Sequence, residues 1–372
     1  MRSMSHIPFH LLWQPRCRLA AALLLLWVSP GSFALNEFLD LYDAPQVLAQ
    51  GNAMTADAYG YLSNYYNPAG LAKMPSRKSE IHLLALEGSS SGTGVARAAE
   101  ARSWGVGPLN PKIAANPNAY TYFSYGAIPA LSVRGFSLSL LVRREYAALS
   151  DGTNVDIDTR TDMGVTVGVA RNFAGNLVKL GVVGKFLLRN QLKGTYAHSD
   201  FYSEQAIQAL AKEGMGVGAD VGAIVTLPYK YLPTFGVVWK DVLGTQFSAS
   251  QFLNSYASAA PDTISQSFNF GFSVSPRFSR LWRMRIAADV RHIERTDLPF
   301  RKKLHLGFEM ESLKGRRGTY WWLGLNQLYP CFGMGVRLPG GNLEIGTYGT
   351  EVGAGETAQS DRRFFMRYTV SF

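Results

Sequence analysis

Cysteine is almost missing from this chain: two occur in 372 residues. Cys17 lies ahead of the apolar stretch Leu19 to Val28, so removal of an N-terminal export signal would leave Cys331 as the only thiol. A chain with one thiol forms no internal disulfide, although small exported domains usually depend on several. Long apolar runs are also missing. Beyond residue 34 no stretch approaches the roughly eighteen apolar residues of a helical bilayer span, which excludes a helical membrane protein. Charged residues make up 17% against 47% apolar, too apolar a balance for a disordered chain. No His-Glu-x-x-His motif or paired metal ligands appear, so no enzyme, metal or cofactor is expected. The formal charge of +10 is spread over alternate positions rather than gathered in one patch, which argues against nucleic acid.

What is plentiful points to strands. The chain holds 18 Tyr, 21 Phe, 7 Trp and 37 Gly, a supply suited to pleated strands, tight turns and membrane-interface belts. Arg16 and Arg18 precede the apolar run, and Ser32-Phe33-Ala34 places small residues at the −3 and −1 positions of a cleavage site. Residues 1–34 therefore read as a signal peptide, with Leu35 first in the mature chain. Their loss removes three Arg and takes the formal charge from +10 to +7.

Period-two alternation recurs through the rest. Trp282, Met284, Ile286, Ala288 and Val290 alternate with Arg283, Arg285, Ala287, Asp289 and Arg291, so a strand there has one apolar and one charged face. Leu304, Leu306, Phe308 and Met310 alternate in the same way with Lys303, His305, Gly307, Glu309 and Glu311. Fourteen such segments can be counted between residues 78 and 372. The expected spans are 78–88, 119–127, 132–144, 160–172, 177–189, 214–227, 232–241, 266–276, 281–292, 303–312, 319–327, 331–338, 342–350 and 361–372. Short connections such as Ile128 to Leu131 and Phe173 to Asn176 alternate with longer ones, among them 89–118, 145–159, 190–213 and 242–265. Short turns on one rim and long loops on the other describe a transmembrane antiparallel β-barrel of about fourteen strands in a bacterial outer membrane. A soluble sandwich would show no such loop asymmetry.

The last strand carries Phe364, Met366, Tyr368, Val370 and Phe372 on one face, with Phe365 breaking the alternation. A terminal Phe closing such a strand resembles the signal read by barrel-assembly machinery. If the apolar stripes face lipid, the lumen receives Arg143, Lys179, Lys185, Arg189, Asp220, Asp289, Lys303, His305, Glu309, Arg363 and Arg367. It also receives Arg283, Arg285 and Arg291, the candidates for an anion-guiding ladder; the competing reading pairs these charges with one another and with the plug. His305 reads as a hydrogen-bonded wall residue. Residues 203–212 suit a short helix in a long loop, packed on the rim.

Residues 35–77 are not strand-like. They carry Gly51-Asn52-Ala53-Met54-Thr55-Ala56 and then Asn67-Pro68-Ala69-Gly70-Leu71. This pair of elements, in this order and shortly before the first strand, resembles the FadL-type long-chain fatty acid transporters; PorV-like and TraF-like barrels share the architecture. The resemblance implies a fourteen-strand barrel with an N-terminal hatch inside it, in which Gly51, Asn52, Asn67, Pro68 and Gly70 serve packing and backbone geometry. The expected division is signal 1–34, hatch 35–77 and barrel 78–372. The expected function is passive uptake of a hydrophobic or amphipathic, fatty-acid-like compound, in contact with outer-membrane lipid. The alternative is a docking platform for secretion or conjugation partners.

Overall fold

The computed structural model describes residues 35–371 except 36, 77–78, 93–119, 198–203, 278, 280, 313–317 and 354–358. The expected signal peptide and Phe372 lie outside the described residues. From residue 80 onward strands are the main regular structure of the described residues. In order these are β1 (Glu80–Ser91), β2 (Tyr120–Ala127), β3 (Ala130–Val133), β4 (Phe136–Ser150), β5 (Asn154–Phe173), β6 (Val178–Ala197), β7 (Lys212–Thr226) and β8 (Thr234–Lys240). There follow β9 (Phe247–Ala249), β10 (Ser267–Val274), β11 (Trp282–Val290), β12 (Leu304–Ser312), β13 (Thr319–Asn326), β14 (Tyr329–Leu338), β15 (Gly341–Glu351) and β16 (Ser360–Ser371). Among the described residues three short helices accompany them: α1 (Pro45–Ala49), α2 (Glu204–Leu210) and α3 (Phe300–Lys303).

Neighbouring strands of the wall pair antiparallel, β8 with β10 among them, and β16 pairs with β1 in the register Leu86 opposite Tyr368, which closes the sheet. β2 and β3 together form one wall strand, since both pair with β1 and with β4; β9 is an extra piece on β7. The barrel therefore has fourteen strands. Closure leaves no free edge.

The alternation has its physical cause in this closure. Leu86, Leu140, Val169, Val182, Val217, Phe270, Leu323 and Met366 are all exposed, while Glu87, Arg143, Asp220 and Arg367 on the opposite faces are buried. An apolar outer surface around the sheet belongs in hydrocarbon, where Arg or Lys at mid-depth costs about 2–4 kcal/mol. Phe364, Met366 and Tyr368 lie on this lipid-facing surface, and Phe365 turns inward, 5% exposed, beside Tyr348 and the Leu48–Ala49 end of α1. The interruption in the last strand's pattern is thus a contact with the N-terminal segment.

Two expected connections are corrected. Ile128 to Leu131 is not a turn: the Ile128 N–H donates to Ala85 O at 3.1 Å and the Leu140 N–H to Pro129 O at 2.9 Å, so pairing continues through the break. Pro129 has no N–H to give and interrupts one strand. The turn comes at residues 134–135, with Gly135 at φ 78°. Residues 145–159 are not a long loop but the tops of β4 and β5, joined by the tight turn 151–153. Alternation is lost there because both faces are covered. Ala147 packs inward against Leu35, while Tyr146, Ala148, Val155 and Ile157 are buried with Ile207 of α2.

Candidate functional site: the N-terminal segment inside the wall

Residues 35–74 run down the lumen from the loop rim to the turn rim. Leu35 packs with Tyr122 and Ala147 near the tops of β2 and β4, and at the other end Leu71 O accepts from the N–H of Gly135 in a turn, at 3.1 Å. The segment has little regular structure: α1, then 3-10 turns at Gly60–Asn64 and Pro68–Lys73. Leu41, Tyr42, Val47, Met54, Tyr61, Tyr65 and Tyr66 form one buried cluster with Ala85, Ile128, Leu141 and Leu187 of the wall.

Both sequence elements sit where backbone meets backbone. Gly51 has φ 76° and a Cβ there would lie 2.0 Å from Leu306 O of β12, so no larger residue fits. Asn52 follows at φ 63°; its side chain donates to Asp43 at 3.2 Å and accepts from the Tyr66 hydroxyl at 3.1 Å. Asn67 caps the second 3-10 turn, its Oδ1 accepting from Ala69 N at 3.1 Å, with Pro68 in the first turn. Its Nδ2 donates to Thr55 O at 2.9 Å and reaches the wall at Val237 O, 3.2 Å, and Ala223 O, 3.3 Å. One side chain therefore ties the second element to the first and to strands β7 and β8. At Gly70 a Cβ would meet Ala58 O at 2.3 Å, so Gly70 serves packing within the segment itself.

The wall answers with glycines at inward positions, a feature the sequence reading did not use. A Cβ at Gly181 would meet Pro68 at 2.4 Å, at Gly222 Asn67 Oδ1 at 2.0 Å, at Gly236 Thr55 O at 2.4 Å, and at Gly307 and Gly324 the Gln50–Gly51 backbone at 2.4 Å. Glycine inside a strand marks close approach of another backbone. Where β6 and β7 press inward this way, a concavity of about 980 Å³ opens on the lipid-facing side, lined by Val169, Val182, Val221, Val237 and Phe270.

Charge does the rest of the docking. The segment contributes Glu37, Asp40, Asp43 and Asp57, and each meets a wall cation. Glu37 pairs with Arg363. Asp40 pairs with Lys240, with Arg291 at 2.7 Å and with His292 at 2.9 Å. Asp43 lies 2.9 Å from Arg291, and Asp57 lies 2.5 Å from Arg285 and 2.9 Å from its own segment's Lys73. In return Asp289 of β11 accepts the Met54 and Thr55 N–H groups at 2.8 and 2.7 Å. Burial opposes ionisation of Asp57, but Lys73 and Arg285 outweigh it and hold its carboxyl at about 2; against the same opposition Lys240, Arg291 and His292 hold Asp40 well below the usual carboxylate range.

The three candidate ladder arginines thus occupy unlike places. Arg285 is shared by Asp57, Gln50 and Glu309, and Arg291 by Asp40 and Asp43. Arg283 is half exposed near the turn rim and pairs with Glu311. The remaining inward charges link strand to strand: Glu87, Arg143, Glu145, Arg160, Asp162 and Arg189 form one chain across β1, β4, β5 and β6, and Lys185 bridges Asp220 and Asp241 at 2.7 and 2.6 Å. His305 bonds Gly51 O at 3.2 Å and Asn326 at 3.0 Å. α2 is close to its expected span and packs on the outside of the rim through Ile207. The letters Gly88 to Gly92 match a hydrolase nucleophile elbow, which the sequence reading passed over. They sit at the end of β1, with Ser90 inside the strand opposite Phe364 and Phe123 and its buried hydroxyl donating to Ser91 O at 2.8 Å.

No family model matches the sequence, and no curated protein does. Among solved structures the CymD monoaromatic hydrocarbon channel superimposes with a TM-score of 0.55 at 11% identity, over 91% of this chain and 99% of that one. The toluene transporter TodX of Pseudomonas putida gives 0.41 at 10% identity, over 90% and 99%. A FadL homologue of Pseudomonas aeruginosa gives 0.33 at 9%, over 92% and 99%. The first likeness is one of fold; the other two are too loose to add to it. In fold the chain is similar to the CymD channel, a likeness that agrees with the barrel implied by the resemblance of its Gly51–Ala56 and Asn67–Leu71 elements.

Proposed function

We propose that this barrel takes up a hydrophobic or amphipathic compound passively across the outer membrane, with residues 35–77 as a hatch that must shift to let it pass. The observation that carries this reading is a lumen filled by a segment held through non-covalent contacts, with four carboxylates on wall cations. Near the loop rim Leu35 and Phe38 of the segment pack with Tyr122 and Leu149 of the wall, an apolar contact that a shift of the segment would open to such a cargo. The CymD channel is named for monoaromatic hydrocarbon, which sets the chemical class to test beside long-chain fatty acids. In this reading residues 1–34 are the export signal and the Phe364–Phe372 stripe serves assembly. Arg285 and Arg291 meet an anionic head group only once the hatch acids withdraw.

A second reading, the docking platform for secretion or conjugation partners, draws support from the unbroken chain of ion pairs between Glu87 and Arg189. Native mass spectrometry of the purified barrel, challenged with a fatty acid and with toluene, separates the two. Retained or competed apolar ligand, weakened by Asp40→Asn, supports uptake. A barrel that ignores both but holds a protein partner supports docking.

A further inference from the structure

Loop 241–266, between β8 and β10, presents apolar side chains outward and away from the lumen. Phe252 is 71% exposed, Tyr256 47% and Leu253 37%, with Leu210 at the end of α2 beside them at 40%. This turn is built, not slack. Glu213, fully buried near the start of β7, accepts the N–H groups of Phe252, Leu253 and Asn254, the last two at 3.0 and 2.8 Å, and the Ser250 hydroxyl at 3.1 Å. Asn190 of β6 adds a bond at 3.3 Å, and Asn254 ties the turn to α2 through Gln208 O at 2.6 Å. One carboxylate thus wraps three successive backbone N–H groups and fixes where Phe252 and Leu253 point.

The place it fixes is informative. By strand alternation Glu213 faces outward, on the same side of β7 as Met215, Val217 and Val221, which are exposed and lie in the lipid-facing band. Glu213 stands two residues from Met215, about 7 Å along the strand. The Glu213 clamp therefore sets Phe252 and Leu253 on the outer face of the wall, at the loop-rim end of the apolar column of β7. Aromatic residues at the border of such a band sit at head-group level.

We propose that the turn 250–256 is a membrane foot: it rests on the lipid surface at the loop rim, set there by the Glu213 clamp. The occupant of this patch is the outer leaflet, and the assignment does not depend on what the barrel carries.

The test uses the full barrel reconstituted in lipid vesicles, in a Cys331→Ser background, with nitroxide labels at Phe252→Cys, at Val217→Cys as a lipid-facing reference and at Thr153→Cys as an exposed loop reference. The label at 252 is expected to match 217 in high collision rate with oxygen and low rate with a water-soluble nickel chelate, whereas 153 shows the reverse. Glu213→Gln is expected to shift the 252 label toward the values at 153 while 217 stays unchanged. A 252 label that behaves like 153 in the unaltered clamp overturns the foot. So does one shielded from both reagents, which would mean that protein covers the patch. A 252 label that keeps its depth in Glu213→Gln overturns the clamp.

Discussion

At Asn67 one side chain caps a helical turn, bonds the first hatch element and reaches two wall carbonyls. Asn67→Ala removes all of these and should cost about 1–2 kcal/mol, the range of a lost cap with buried bonds. The change should appear as faster protease cutting within residues 35–77, with the wall strands still resistant. Gly222→Ala tests the other side of the same contact: a Cβ 2.0 Å from the Asn67 Oδ1 forces the segment away and should raise cutting in the same place. Acid supplies a third probe. Asp57 has its pKa lowered from an ordinary 3.8 to about 2, so its contribution to docking is complete above about pH 4 and lost as pH falls toward 2. Hatch protection should therefore hold from neutral pH to about 4 and fall below it. Loss of protection between pH 7 and 5 would assign the docking to other groups.

Among the elements, the wall was largely legible because lipid outside and charge inside impose a strict period of two. Trp282–Val290 and Leu304–Ser312 form within two residues of the expected bounds. The pattern fails where that contrast fails. The tops of β4 and β5 are covered on both faces, and the break at Ile128–Pro129 looks like a turn in letters. The hairpin at Gln327–Leu328 places two non-glycine residues at φ 53° and 67°, which turn chemistry does not advertise. The hatch elements were legible through their resemblance, but their partners were not, since wall glycines look only like weak strand positions. The acids at 37, 40, 43 and 57 facing a basic wall were a readable signal left unused. Asp40 is the strongest of these anchors. Asp40→Asn leaves Lys240 and Arg291 buried with less compensation, which should cost about 3–5 kcal/mol. Faster hatch proteolysis with an unchanged β-sheet circular dichroism spectrum is the expected result.

For the molecule as a whole, the N-terminal segment does two things: it packs inside the wall, and it pairs with wall cations. Deleting residues 35–74 removes four acids that face Arg285, Arg291, Lys240 and Arg363. The deleted barrel should conduct in planar bilayers, and it should prefer anions. The central claim, that cargo passes by moving the hatch, is tested most directly by fastening it. Asn64 and Ser139 touch at 3.2 Å across segment and wall, so Asn64→Cys with Ser139→Cys, joined by a short bifunctional thiol reagent, pins the hatch to β4. Uptake of a labelled fatty acid and of toluene into vesicles carrying this barrel is then followed before joining, after joining and after cleavage of the linker. The account predicts uptake that stops on joining and returns on cleavage; uptake that continues unchanged with the hatch pinned contradicts it.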